Sequence, residues 1–268
     1  MQTLRFTILL LLSFLFYNPA IAQSSDNTDY LANPPKSTVS QSDKNRIVKL
    51  VKNGRYEEAI LHFEKLDTEI QETFTGLHLI EAYHNRGKKY SDKKRYQRAL
   101  KDFNKAIKLA TESIDITPTL IARAYVYRQL KAYESSIKDY NAVLEVSPED
   151  VEALLGRGLS YLKHRKPDEG LADLNKAIEL KADFAMAYYH RGQAWFALGK
   201  FPEAAADFRM TTIIDPDYAW AYYYHGFALE NAGKNYEAKK AYNRYIERAP
   251  ESYSQHIAAA RKRIRSLR

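Results

Sequence analysis

Seven histidines, His62, His78, His84, His164, His190, His225 and His256, are the residues best suited to acid–base or metal chemistry. None lies in an H-E-x-x-H motif, and no two are four apart, the spacing that sets two imidazoles on one helix face toward a metal. His190 and His225 could approach each other if their segments are neighbouring helices, yet no carboxylate stands ready to join them. The chain has no cysteine, which removes disulfides, thiol nucleophiles and thiolate metal sites. It has no G-x-S-x-G elbow and no phosphate-cradling glycine loop. Asp168, Glu169 and Glu203 read as first-turn residues of helices, where carboxylates oppose the helix dipole. The expectation is a non-enzymatic protein with no cofactor and no metal.

What remains is aromatic and basic. The stretch AWAYYYHGFAL, residues 219–229, packs six rings into eleven residues. The formal charge of the 268 residues is +8, concentrated in GKKYSDKKRYQRALKDFNK (87–105) and in the closing RKRIRSLR (261–268). Such blocks suit an anionic surface, whether lipid or glycan, or serve as solvated helix faces. Only 10 glycines and 9 prolines punctuate the chain, and Ala, Leu, Lys and Glu are plentiful, so helices must position these side chains.

The first segment reads as an address. Arg5 precedes an apolar run from Phe6 to Tyr17, followed by Ala20-Ile21-Ala22. That is the order of a secretory signal peptide, with cleavage expected between Ala22 and Gln23. An uncleaved anchor is the alternative, although the run falls short of the roughly 20 residues a spanning helix needs. The protein is expected to be exported to a periplasm or secreted. Without cysteine it cannot be a lipoprotein, and export makes nucleic acid an unsuitable partner. Residues 23–39, with Pro34-Pro35, read as a flexible linker.

The rest of the chain repeats. Gly158, Gly192 and Gly226 are spaced by 34 and 34, in RGLSY, RGQAW and HGFAL. Twelve residues after them stand Gly170, Ala204 and Ala238, and four further on Leu174, Phe208 and Tyr242. Pro216 and Pro250 lie 24 after the second and third glycines. Unit starts fall at Thr117, Val151, Ala185 and Ala219. An earlier unit near Ile80 carries Gly87, Tyr90, Ala99 and Phe103, and one near Ser40 carries Gly54, Tyr56, Ala59 and Phe63. Glycine, aromatic, small residue, aromatic and proline on this period resemble the tetratricopeptide repeat (TPR). The resemblance spans residues 40–250 and implies an all-α, right-handed α-solenoid of about six helix-turn-helix units. A basic amphipathic helix over 251–268 would cap it. Ser136 and Gly170 stand where alanine is usual, Ala182 where proline is usual, and the insertion around TESIDITP (111–118) is expected to loosen the stack.

Positions 2, 5, 9 and 12 of each first helix are not needed for stacking. In proteins of this kind they line the concave surface and contact peptides. Here they supply Leu155 and Leu159 in one unit, Met186, Tyr189, Gln193 and Phe196 in the next, and Trp220, Tyr223 and Phe227 in the last. A groove in the C-terminal repeats is therefore expected to hold an apolar or aromatic segment of a protein or peptide partner. Self-association through the same surface, or cover by the chain's own final helix, are the alternatives. The Lys and Asn that clamp a terminal carboxylate in some relatives are replaced by Ile121 and Tyr125, Leu155 and Leu159, and Tyr189 and Gln193, so that specificity is not expected.

Overall fold

The glycine and alanine period becomes a stack of helix pairs because each helix has one face too apolar to leave in water. The computed structural model of the protein describes residues 39–66, 71 and 76–267. The expected signal peptide (1–22) and nearly all of the expected linker (23–39) lie outside the described residues. Among the described residues there are thirteen α-helices. They are α1 (Gln41–Lys52), α2 (Tyr56–Glu64), α3 (Leu77–Asp92), α4 (Tyr96–Leu109), α5 (Thr117–Gln129), α6 (Tyr133–Val146) and α7 (Val151–Lys163). There follow α8 (Pro167–Leu180), α9 (Ala185–Ala197), α10 (Phe201–Ile214), α11 (Ala219–Asn231), α12 (Asn235–Arg248) and α13 (Ser254–Ser266). Odd-numbered helices to α11 are first helices of units, and even-numbered ones are second helices. Each packs on its pair and on its neighbours along the chain, which makes the molecule an all-α solenoid.

The helix ends follow local chemistry. The Ser40 hydroxyl accepts from the Asp43 amide at the start of α1, and the Asp150 carboxylate accepts from the Ala153 amide at the start of α7. Pro118, Pro167 and Pro202 sit in the first turns of α5, α8 and α10, where a missing N–H costs nothing. α8 stops at Leu180 without the usual proline. Lys181 leaves the helix in an extended conformation, and the turn is closed by the Phe184 amide donating to the Lys181 carbonyl.

Close packing explains the small residues. Phe208 lies against Gly192 and Tyr242 against Gly226, so near that an added Cβ would sit 3.0 and 2.9 Å from the ring carbons. Both rings are fully buried, each stabilising the stack by about 2–3 kcal/mol. Ser136 replaces alanine without penalty, because its hydroxyl bonds the Ala124 carbonyl and the Ser160 hydroxyl at 2.8 Å each. The insertion between α4 and α5 is tied in, contrary to expectation. Ile114 packs against the core of the first two units, and Ile116 against the core of the next.

One structural device had no counterpart in the sequence reading. Four first helices carry an arginine that grips an aspartate of the paired second helix with two bonds of 2.7–2.8 Å: Arg86–Asp102, Arg123–Asp139, Arg157–Asp173 and Arg191–Asp207. Three of these arginines also reach back to an asparagine of the preceding second helix: Asn104, Asn141 and Asn175, at 2.7–2.8 Å. Every rung therefore ties its own unit together, and three of the four also tie it to its predecessor. The aspartates are buried, and each arginine lies 5.4–5.9 Å from a tyrosine ring centroid. Part of the tyrosine excess is thus the apolar floor of this ladder.

Candidate functional site

Two cavities open on the faces of the first helices. The larger, about 940 Å³, runs from α3 across α5 to α7. Its floor is Ile121, Ala122, Tyr125, Leu155 and Leu159, and its rim carries His84, Lys88, Lys94, Arg128, Asp92 and Glu152. The smaller, about 530 Å³, continues from Leu159 and Leu162 to α9, with Lys163, Arg165, His190 and Gln193 along it. Arg128 borders both. Its Nε is buried and has no hydrogen-bond partner, while its guanidinium lies 5.4 Å from the Tyr125 ring centroid. Tyr125 is 42 % exposed, a large apolar ring held open to solvent. Gly156 makes room for Tyr140, whose ring would clash with any Cβ there and which forms part of the groove wall.

The turn between the paired helices has one conformation throughout the stack. The fifteenth residue of every unit is in the left-handed region. It is glycine in the first and the last two units, Gly54, Gly199 and Gly233, but Lys94, Lys131 and Arg165 in the three between. A side chain in this region costs about 1–2 kcal/mol. Lys94 borders the larger cavity and Arg165 the smaller.

The expected C-terminal anchors stand elsewhere. Leu155 and Leu159 do line the large groove, and Gln193 lines the smaller one, its Oε1 accepting from His190 Nδ1 over 3.0 Å. Met186 is exposed on α9. Tyr189, however, is buried. Its ring makes edge contacts with Tyr218 at 4.9 Å, Phe208 at 5.7 Å and Tyr224 at 5.8 Å, and burial pushes its phenol pKa up. It is a core residue and not a groove anchor. Phe196 stacks on Phe227 at 4.8 Å and meets Phe201 at 5.1 Å.

Trp220, Tyr223 and Phe227 are not surplus to packing either. Trp220 lies 5.3 Å from Tyr253 and 4.7 Å from His256, Tyr223 packs on Tyr242 and Tyr245, and the Arg263 guanidinium covers Phe227 at 4.4 Å. Arg263 also bonds Glu230 at 3.0 Å, and Glu230 accepts from the Tyr242 hydroxyl at 2.6 Å. The final helix thus covers this end of the stripe. α13 occupies the place of a seventh first helix, since Ala260 stands 34 residues after Gly226 and is fully buried in the same manner. His190 and His225 line different cavities and do not form a site together. Among the described residues no three His, Asp or Glu are grouped to hold a metal ion.

The groove residues that sequence reasoning missed are Arg128, Lys94 and Arg165. Positions 5, 9 and 12 in the unit from Thr117 are Ile121, Tyr125 and Arg128, so the same stripe that gave its neighbours' residues contains Arg128. Lys94 and Arg165 were legible only as departures from glycine at Gly54, Gly199 and Gly233.

Comparison with known proteins agrees with this architecture. Models described as tetratricopeptide repeat match residues 155–219, 80–110 and 220–252, and one described as TPR repeat matches 124–164. Among solved structures, the MamA protein aligns at 22 % identity over 66 % of this chain and 94 % of its own, with a TM-score of 0.54. TTC0263, a thermophilic TPR protein in Thermus thermophilus, aligns at 18 % identity over 68 % and 98 %, TM-score 0.56. YrrB, described as a TPR protein with an unusual peptide-binding site, aligns at 22 % over 70 % and 92 %, TM-score 0.51. No curated protein matches the chain in sequence.

Proposed function

Because the chain belongs to the tetratricopeptide repeat family, we propose that it is a non-enzymatic interaction scaffold whose middle units hold an extended segment of a partner protein. The observation that carries this is the continuous apolar floor Ile121, Tyr125, Leu155 and Leu159, ringed by cations of which one, Arg128, has an unpartnered buried nitrogen. The floor asks for apolar side chains. The rim asks for carboxylates, since Lys88, Lys94, Arg128, Lys163 and Arg165 face only Asp92, Asp150 and Glu152 along the two cavities. Volumes of 940 and 530 Å³ suit several consecutive side chains. A peptide-binding site is described for YrrB, a protein of the same fold, which makes a peptide the natural occupant to test. Export through a cleaved leader belongs to the same proposal and puts the scaffold in the cell envelope.

A library of extended peptides displayed against the full chain tests the groove. Enrichment of segments alternating apolar with Asp or Glu is expected, with micromolar affinity lost in a Leu155→Asp/Leu159→Asp variant and kept when Trp220 is changed to Ala. Enrichment indifferent to the leucine changes would place the site elsewhere. For export, the intact mass of protein recovered from the envelope should lack residues 1–22; a full-length mass there would defeat the leader reading.

A further inference from the structure

The ladder has a missing rung. Counting 34 residues on from Asn175, Arg191 and Asp207 gives Arg209, His225 and Ala241. Where three earlier rungs place asparagine, arginine and aspartate, the last unit places arginine, histidine and alanine. The carboxylate has gone, and a cation has moved into the asparagine position of the preceding helix. Neither the Arg209 nor the His225 side chain has a hydrogen-bond or ion-pair partner among the described residues. In place of the rung is a cavity of about 460 Å³ between α10, α11 and α12, with Ala241 and Leu229 at its base. Lys234, Lys240 and Arg244 surround it, against a single acid, Glu237. This cavity shares no residue with the peptide groove.

We propose that the gap is a binding site for a small free carboxylate, which Arg209 and His225 hold in place of the absent aspartate. The chemistry is that of the intact rungs. A carboxylate buried between helices is stable when two or more donors converge on it, and the intact rungs show that this fold supplies the space and the geometry. Here two cationic or N–H donors, His225 in the arginine's place and Arg209 in the asparagine's, face a gap with no acceptor. Lys240 and Arg244 add long-range attraction at the mouth, Arg244 being partly engaged by Glu247 at 3.1 Å. The site is distinct from the peptide groove and would make the C-terminal end of the stack responsive to a metabolite. A ligand that bridges α10, α11 and α12 stabilises the folded chain by mass action.

His225 reports on the site. Burial first, and Arg209 second, hold its pKa down to about 4, and a bound carboxylate would raise it. The test follows the His225 ring resonances of the full chain at pH 6, assigned by comparison with His225→Gln, during titration with sodium succinate. Chloride at matched ionic strength and inorganic phosphate are the parallel arms. Succinate is expected to shift the ring saturably in the millimolar range and to raise its titration midpoint by about one unit, roughly a tenfold coupling. Arg209→Gln, a change at an exposed side chain, should abolish the response. Ala241→Asp should rebuild the rung, raising the midpoint without succinate and removing the succinate effect. No saturable shift, an equal shift with phosphate, or a response that survives Arg209→Gln would each overturn the proposal. If Ala241→Asp does not fold, the Arg209 variant and the anion arms decide it alone.

Discussion

The middle units and the last unit solve the same packing problem with different chemistry. From α3 to α10 each unit is clamped by a part-buried arginine on a buried aspartate, and from α3 to α7 the inner face is left open and rimmed with cations. In α11 and α12 the pair is absent, and the unit is held by rings: Trp220, Tyr223, Tyr242 and Tyr245 pack on one another, with α13 laid over them. A polar clamp fixes the angle between helices without using the inner face, which stays available. Aromatic clamping consumes that face and lays α13 over it.

The contrast breaks most sharply at a ladder rung. Asp173→Ala would leave the part-buried Arg157 with Asn141 alone, a loss at or below the low end of the about 3–5 kcal/mol that breaking a fully buried pair costs. Replacing both Arg157 and Asp173 with leucine should cost far less, because neither charge is stranded. Urea unfolding of the single and double variants measures this. Equal losses would mean that the pair contributes through packing and not through charge.

The rung also shows where sequence reading stops. The helix pairs were legible because Gly158, Gly192 and Gly226 recur with small and aromatic partners at constant offsets, and steric demands of that kind write themselves as residue size. The arginines and aspartates recur just as regularly, sixteen residues apart, yet either could have been a solvated surface charge. Only the fold shows that the two positions face each other. The anchors failed for the opposite reason. Position counting assigns Tyr189 and Trp220 to the groove stripe, but it cannot see that Tyr218, or Tyr253 at the start of the final helix, comes to lie against them. Leu155 and Leu159 remained in the groove because their neighbours α5 and α9 present a tyrosine and a glutamine that leave space between them.

A second measurement separates the two ends by pH. The imidazole of His225 is held down to about 4 by burial and by Arg209, whereas an unfolded histidine titrates near 6.5. Between these values the unfolded chain takes up a proton that the folded chain refuses, so stability is complete above about pH 6.5 and falls as pH drops toward 4. At about 1.4 kcal/mol per unit the loss is on the order of 3 kcal/mol. His84 and His190 are lowered by burial as well and act in the same direction. Unfolding by urea across this window, in carboxylate-free buffer, should show a shallower slope for His225→Gln. An unchanged slope would remove His225 from the account.

The cover on the last unit is weaker than the ladder. Trp220 is half-buried, and Trp220→Ala should cost about 2 kcal/mol, below the range for a fully enclosed ring. The loss should appear as faster amide exchange in α12 and α13 with little change in α5 to α8, since Tyr245, Tyr253 and His256 rest on this ring. Exchange that rose evenly along the chain would mean the two ends are one cooperative unit.

The smallest effects test the groove itself. Lys94, Lys131 and Arg165 hold the left-handed backbone that Gly199 and Gly233 hold in the last two units. Glycine relieves the strain of about 1–2 kcal/mol but adds unfolded-state entropy of about 0.4–1 kcal/mol, so each change to glycine should stabilise the chain by about 0.5–1 kcal/mol. The three positions then diverge in binding. Lys94 and Arg165 border the cavities; Lys131 does not. Lys131→Gly should therefore raise stability and leave peptide affinity unchanged. Lys94→Gly and Arg165→Gly should raise stability and weaken binding of an acidic peptide several-fold, an effect that shrinks at high salt. A stabilising change that loses affinity at two strained positions, and none at the third, would show that the strain is kept for the charge it presents. Equal affinity in all three would leave the groove with an apolar function alone.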